Sequence, residues 1–342
     1  MMEVLKRAGL DGKDLKIIKN LYWNQVACVR IDGETTEDMK ILRGVRQGCT
    51  LSPVIFNLYS EFIFREALQD VEAGILLNGE HLNNIRYADD TVIFADSLAS
   101  LQLLMDRVTA CSRKYGLEIN TSKTKFMIIR RKQGTRGILL VDGTPLEKVN
   151  KYTYLGTNID DEWNHSLEIR TRIEKARAAF TKMKKVFTSH DLQLTTKIRL
   201  LRCYVFSILF YGVESWTLTE ASTKKLEAFE MWLYRRVLRI PWTDRVTNAE
   251  VLRRMGKEKE VMKTVKTRKL LYLGHVMRNE SRYVLLQKIL QGKVCGARGV
   301  GRRRISWLKN LRTWFNQSTT QLFRAAVNKV RLANMISNIR NG

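Results

Sequence analysis

Apolar positions recur at two different periods along this chain, and the change of period divides it. Residues 2–8 and 13–23 carry apolar residues at helical spacing around Gly9-Leu10-Asp11-Gly12, which predicts two helices. Residues 25–32 alternate instead, through Val26, Cys28 and Ile31, and end on the hairpin signal Asp32-Gly33. Helical spacing returns at 52–68, with Ser52 as cap, Pro53 in the first turn, and Ile55, Tyr59, Phe62, Ile63 and Ala67 on one stripe. Two short β-prone runs, 82–87 and 91–95, then flank the polar tip Tyr87-Ala88-Asp89-Asp90. A second amphipathic helix over 98–115 stops at Gly116. Strands are predicted at 117–120 and 125–129, and a hairpin from 138–141 through Asp142-Gly143-Thr144-Pro145 to 149–154, leading into Tyr154-Leu155-Gly156. Beyond residue 160 the pattern is helical: 166–187, 192–213 and 222–240, the last stopped by Pro241. Trp216, Trp232 and Trp242 are expected in the core and at helix junctions.

The tip between the two β-prone runs carries the first candidate chemistry. Asp89 and Asp90 are hard oxygen ligands held near one point, suited to Mg²⁺ or Mn²⁺ and not to zinc. Two such ions about 4 Å apart can clamp the attacking and leaving oxygens of a phosphoryl transfer. A plain solvated turn has the same residue types, so the pair gains meaning from what surrounds it. The loop 43–50 is basic and glycine-containing and leads into a helix N-terminus, where free backbone N–H groups suit a phosphate or a nucleotide edge. Gly48 in that loop lets a base pair come close to the backbone.

Charge narrows the class of partner. The 342 residues include 60 Lys or Arg against 34 Asp or Glu, a formal net charge of +26, which points to a polyanion. More than half of that excess lies in 268–342, where sixteen basic residues face one acid, Glu280. Within it, Arg298, Arg302, Arg303 and Arg304 form a basic, glycine-rich stretch that reads as a nucleic-acid contact; six phosphate contacts would give a log–log salt slope of about −4 to −5. No lipidation signal or long basic amphipathic helix suggests a membrane partner, and the five cysteines stand singly, which fits a reducing, intracellular setting.

Four segments in order then resemble one family. The run Arg46-Gln47-Gly48 through Ser52-Pro53 to Phe56-Asn57-Leu58-Tyr59 resembles the template- and nucleotide-facing helix of reverse transcriptases. Tyr87-Ala88-Asp89-Asp90 resembles their metal-binding hairpin, Gly116–Asn120 with Lys123-Thr124-Lys125 the lysine-bearing segment after it, and Tyr154-Leu155-Gly156 the primer-grip hairpin. The wording is similar to the non-long-terminal-repeat, LINE-type retrotransposon branch. The resemblance implies an α+β fold: part of a right-hand polymerase palm over 1–160, an antiparallel sheet backed by helices, then a helical thumb over 161–245 and a basic helical nucleic-acid-binding region over 246–342. It implies RNA-directed DNA polymerase chemistry on an RNA template, a DNA primer and deoxynucleoside triphosphates. Asp89 and Asp90 would hold Mg²⁺ or Mn²⁺, and Lys123 would protonate the leaving pyrophosphate, with Lys125 second. Tyr87 would lie beside the primer end, Gln47 and Gly48 against the template–nucleotide pair, and Arg46 against template or fingers.

One departure shapes the expectation for activity. The family carries a further aspartate on a palm strand ahead of the first helix, and that motif is not found here. The chain is therefore expected to bind metal weakly, to be inactive alone, and to need a partner segment supplying fingers and first palm strand. The alternative is a decayed or repurposed nucleic-acid-binding protein. Nuclear action is the expected setting.

Overall fold

The arginine, lysine and apolar pattern resolves, in a computed structural model, into many helices and a set of very small sheets. The structure describes residues 1–342 except 43, 130–136, 163–164, 294–305 and 342, and of 340 and 341 the backbone alone. The chain divides into two compact units, the first made of 1–126 with 134–149 and the second of 127–133 with 150–342.

In the first unit the helix Ser52–Leu68 is the central element. One side of it, with Ile55, meets Leu5 and Ile18 of the helices Met2–Arg7 and Gly12–Tyr22. The other, with Ile63, Ala67 and Leu68, packs on Leu104, Val108 and Cys111 of the helix Leu98–Lys114. Helical spacing in the sequence was enough to place both faces. The start of Ser52–Leu68 differs from expectation, because Leu51 is the capping residue and no side chain caps it. The Ser52 hydroxyl is instead 2.9 Å from the Tyr22 hydroxyl, a long-range bond that takes it from the helix end.

The expected continuous antiparallel sheet is replaced, among the described residues, by seven two-stranded ladders. One of them, Lys125–Phe126 with Glu147–Lys148, is parallel. The reason is local turn chemistry. Asp32-Gly33, Asn78-Gly79, Asp142-Gly143 and Leu155-Gly156 all have positive φ at both central residues, the geometry that closes a strand onto its immediate neighbour. The Asn78-Gly79 hairpin, joining Ile75–Leu77 to Glu80–Leu82, was not anticipated, although its turn signal is plain in the sequence. Residues 117–120 form no strand. Gly116 adopts φ +71 and the Leu117 amide donates back to the Ser112 carbonyl (2.9 Å), so the helix cap consumes the backbone while Leu117 and Ile119 still pack on the core.

The second unit opens with the hairpin Lys151–Tyr154 and Thr157–Asp160 and continues in helices. The expected helix 166–187 is broken into His165–Lys182 and Lys184–Thr188. The next, Leu194–Leu200, loosens into a π-helical turn, Leu201–Phe206, before ending at Leu209. One core runs from Ile169 to Val265 and holds Trp216, Phe180, Phe187 and Tyr234; a second joins Leu270, Leu311, Leu322 and Leu332. Trp216 and the half-buried Trp232 are packed as expected. Trp242 is not: it lies 93% exposed, in the short 3-10 turn Trp242–Asp244 that follows Pro241 and buries no residue.

Two buried charges hold this unit together. Glu230 accepts from the Tyr234 hydroxyl (2.9 Å) and from the Glu260 and Val261 amides (2.6 and 3.2 Å), so it caps the helix Val261–Arg278 from a neighbouring helix. Burial pushes its carboxyl up. Lys269, wholly buried, donates to the Trp216 carbonyl and lies 4.6 Å from the Trp307 ring centroid and 5.6 Å from that of Trp314. Burial pulls its pKa from 10.5 down to about 7. The unfolded chain therefore binds more protons across that window, and the Lys269 contribution to stability should rise as pH climbs from 7 towards 10.5. Urea unfolding at pH 7 and pH 9 should show a rise of roughly 2 kcal/mol in the wild type that Lys269→Met lacks.

Candidate polymerase site

Tyr87 and Asp90 face each other at the end of the strands Asn84–Tyr87 and Asp90–Ile93, which pair only with one another among the described residues. The loop between them is two residues long. Ala88 takes φ +54, a conformation that a residue with a Cβ adopts at a cost of about 1–2 kcal/mol. The turn is thus tight and strained, and it presents Asp89, Asp90 and Tyr87 to solvent, Tyr87 at 66% exposure. Strain of this kind clusters where a site needs a fixed geometry.

A residue that the sequence reading passed over fixes the hairpin in place. Arg86 donates to the Ser60 carbonyl (3.1 Å), pairs with Glu61, and lies 4.6 Å over the Phe64 ring. All three partners belong to Ser52–Leu68, so that helix carries the hairpin on its middle turns and the loop 46–49 at its N-terminus. Ser60 is about 12 Å further along the axis than Ser52. Nothing in the alternating pattern marks Arg86 as an anchor, since it reads as an outward-facing strand residue.

The loop itself is braced from behind. Arg46 Nε donates to Gln25 Oε1 (3.1 Å), and the buried Gln25 holds the Leu21 carbonyl (2.8 Å). Gln47 and Gly48 are exposed. Gly48 needs its φ of +83, whereas a Cβ there would meet nothing within 4 Å. Beside it, the Tyr22 hydroxyl 3.3 Å from Cys49 Sγ, with the Leu51 amide, favours the thiolate and lowers the Cys49 pKa to about 7. Iodoacetamide labelling of Cys49 is expected to rise through about pH 7, and Tyr22→Phe to move that midpoint upward.

Lys123 is exposed on a turn that Asn120 organises, Asn120 Oδ1 accepting from the Lys123 amide (3.1 Å) and the Ser122 hydroxyl (2.7 Å). Among the described residues its ammonium enters no ion pair, nor do Asp89 and Asp90. Lys125 is different: it is half-buried and bound to Glu147.

In the second unit, Tyr154, Leu155 and Gly156 form the turn of the hairpin 151–160, with Leu155 at φ +46 and Gly156 at φ +76. The turn is held by groups far along the chain. The Tyr211 hydroxyl donates to the Leu155 carbonyl (2.7 Å) and Arg172 donates to that of Gly156. Arg172 also lies 4.3 Å over the Tyr211 ring and donates from Nε to Glu168 Oε1 (2.6 Å). Glu168 Oε2 in turn accepts from the Asn158 amide and side chain (2.8 and 2.7 Å). Burial alone would push Glu168 up; the bonds from Asn158 and Arg172 outweigh it and hold the carboxyl below its usual range. Arg130–Arg136, Arg43 and the basic stretch with Arg298, Arg302, Arg303 and Arg304 lie outside the described residues.

Comparison with known proteins decides the family. Residues 2–159 match the model of the reverse transcriptases (RNA-dependent DNA polymerases). A transposon-derived protein of Caenorhabditis elegans is 34% identical over 214 residues, 60% of this chain and 75% of that protein. The chain is also similar to an RNA-directed DNA polymerase from mobile element jockey of Drosophila funebris, at 21% identity over 70% of this chain and 27% of that protein. The Pol polyprotein of a type-2 retrotransposable element of Drosophila melanogaster matches at 23% over 70% of this chain and 23% of that protein. The chain belongs to the reverse transcriptases of non-long-terminal-repeat retrotransposons. It spans three quarters of the worm relative and about a quarter of each fly protein.

Reverse transcriptases use divalent metal ions, and the donor set here can be tested against that need. Two adjacent carboxylates suit a single Mg²⁺, which keeps several waters and takes one or two carboxylates besides substrate phosphates. They fall short of a two-ion clamp, since no group of three or more metal-binding side chains is present among the described residues.

Proposed function

We propose that this reverse transcriptase domain supports RNA-directed DNA synthesis on an RNA template with a DNA primer and deoxynucleoside triphosphates, once a further carboxylate is supplied from outside the described site. The observation that carries this reading is the strained, solvent-facing hairpin tip, which offers Asp89 and Asp90 from a turn pinned to the helix that also bears the Gln47-Gly48 loop. A bound Mg²⁺ would neutralise charge on the nucleotide phosphates. Asp89 is the main ligand and Asp90 its supporting carboxylate. Gln47 and Gly48 lie against the template–nucleotide pair, with Arg46 held back by Gln25 to touch template. Lys123, whose ammonium enters no ion pair among the described residues, is the candidate to give a proton to the leaving pyrophosphate; Lys125 is tied to Glu147 and is the weaker one. Tyr154, Leu155 and Gly156 hold the primer end. We assign 161–245 to a thumb and 246–342 to a basic nucleic-acid-binding region; the helical cores part later, one over 169–265 and one over 270–336, so 246–265 pack with the thumb helices.

A second reading has its own observation. The two-carboxylate donor set also fits a chain that binds nucleic acid without catalysis. Primer extension on an RNA template with Mg²⁺ separates the two readings. The chain is compared with a version carrying a family segment that supplies fingers and a carboxylate strand. Extension confined to the extended version supports the proposal; extension in neither favours the binding-only reading.

A further inference from the structure

Leaving a tryptophan in water is unusual, because burying so large a ring contributes roughly 1.5–3 kcal/mol or more. Trp242 is nevertheless 93% exposed, while residues on both sides of it are tucked in: Ile240 and Val246 pack against the main helical core. The loop between them is fixed by its backbone. The Ile240 amide donates to the Arg235 carbonyl (2.9 Å), closing the helix Glu220–Val237, and the Arg245 amide donates to the Trp242 carbonyl (3.4 Å). Thr247 then caps the helix Asn248–Met255. The ring is thus presented outward from a loop held at both ends.

Its neighbours are arginines in an unexpected backbone state. Arg239 and Arg245, three residues before and three after Trp242, have φ +56 and +46. Arg239 occupies the position after a helix end where glycine is preferred, so a long charged side chain stands where chain geometry favours none. Both are exposed, and neither enters an ion pair among the described residues. The other two arginines of the segment are engaged, Arg235 with Asn248 (2.8 Å) and Arg236 over the Trp232 ring (4.6 Å). An exposed ring flanked three residues away on either side by arginines that enter no ion pair among the described residues matches a nucleotide, with a base for the ring and phosphates for the charges. An unpaired base fits better than a duplex, whose base faces are already stacked. The net charge of +26 argues for a polyanion over an apolar protein or lipid partner.

We propose that Trp242 is a stacking platform for an unpaired base of single-stranded nucleic acid, with Arg239 and Arg245 holding the flanking phosphates. This rests on the nucleic-acid-binding reading above and adds to it a specific contact outside the polymerase site.

The test is the binding of fluorescein-labelled 12-mers of RNA and of DNA to the full chain, each with and without abasic sites, and of a blunt hairpin duplex of equal charge. Trp242→Ala should weaken binding to either single strand by about 5- to 150-fold, with the salt slope unchanged, and Trp242→Phe should retain most of the affinity. Abasic strands should bind the wild type as weakly as intact strands bind Trp242→Ala. Arg239→Ala with Arg245→Ala should reduce the log–log salt slope by about 1.4. Thermal melting of each variant confirms the fold, which an exposed side chain should not disturb. An unchanged affinity in Trp242→Ala, or an equal loss on the blunt duplex, overturns the stacking platform while leaving nucleic-acid binding intact. Failure of the wild type to bind any of these strands overturns both.

Discussion

In a version of the chain supplied with the further carboxylate strand, Asp89→Asn is expected to lower Mg²⁺-dependent primer extension by on the order of 10³-fold or more. A ligand that places a divalent ion on the reacting phosphates supports several kcal/mol of charge stabilisation, and each 1.36 kcal/mol is a factor of ten in rate. Asparagine keeps the shape of the turn and one oxygen but removes the charge. Asp90→Asn should cost less, about 10- to 100-fold, if Asp90 only supports the ion that Asp89 holds. The hairpin makes this comparison clean, because Asp89 and Asp90 enter no ion pair among the described residues and Arg86, not either aspartate, fixes the hairpin on the helix Ser52–Leu68. Asp70→Asn, away from the hairpin tip, should leave extension unchanged. Steady-state extension rates at saturating nucleotide check all three. Equal rates for Asp89→Asn and its parent would exclude the hairpin tip as the metal site.

The sequence was legible where a local rule decides the structure. Pro53 and Gly116 mark helix limits that lie within two residues of those found, while the helix expected to reach Pro241 ends at Val237, and Asp32-Gly33 and Asp142-Gly143 are turns with the backbone their residues favour. The helical stripe through Ile55, Ile63 and Ala67 is buried as its spacing requires. What escaped reading depends on groups distant along the chain. Leu117 and Ile119 alternate like a strand and are packed like one, yet their backbone belongs to a helix cap. Ser52 has the identity of a cap and spends its hydroxyl on Tyr22, thirty residues earlier. Trp242 has the identity of a core residue, yet it opens a short 3-10 turn that buries none of its residues. Of the site, the tip Asp89-Asp90 was readable because charge, turn and neighbouring β pattern coincide. Its support was not, since Arg86, Glu168, Arg172 and Tyr211 act through single contacts with no period.

The support of the turn at Tyr154-Leu155-Gly156 yields the second large effect. Arg172→Met is expected to destabilise the second unit by about 3–5 kcal/mol, because it leaves the Glu168 carboxylate buried without its cationic partner. The side chains of Glu168 and Arg172 are 3% and 7% exposed, so water cannot replace what is lost. The same substitution frees the Gly156 carbonyl and the Tyr211 ring, and hydrogen exchange at the amides of 151–160 should therefore quicken more than in the rest of the unit. Glu168→Leu with Arg172→Met removes both charges and should recover much of the stability, but not the slow exchange, since the Asn158 and Gly156 groups remain unpaired. Urea midpoints for the two variants separate charge burial from turn support. The wild type adds a sign that can be checked independently. The Glu168 carboxyl is held below its ordinary value of 4.5, so its contribution is full above about pH 4.5 and is lost as pH falls through the lower folded-state value. That acid-sensitive step should be absent from the double variant. Its persistence there would assign the step to other carboxylates and leave Tyr211 as the main hold on the turn.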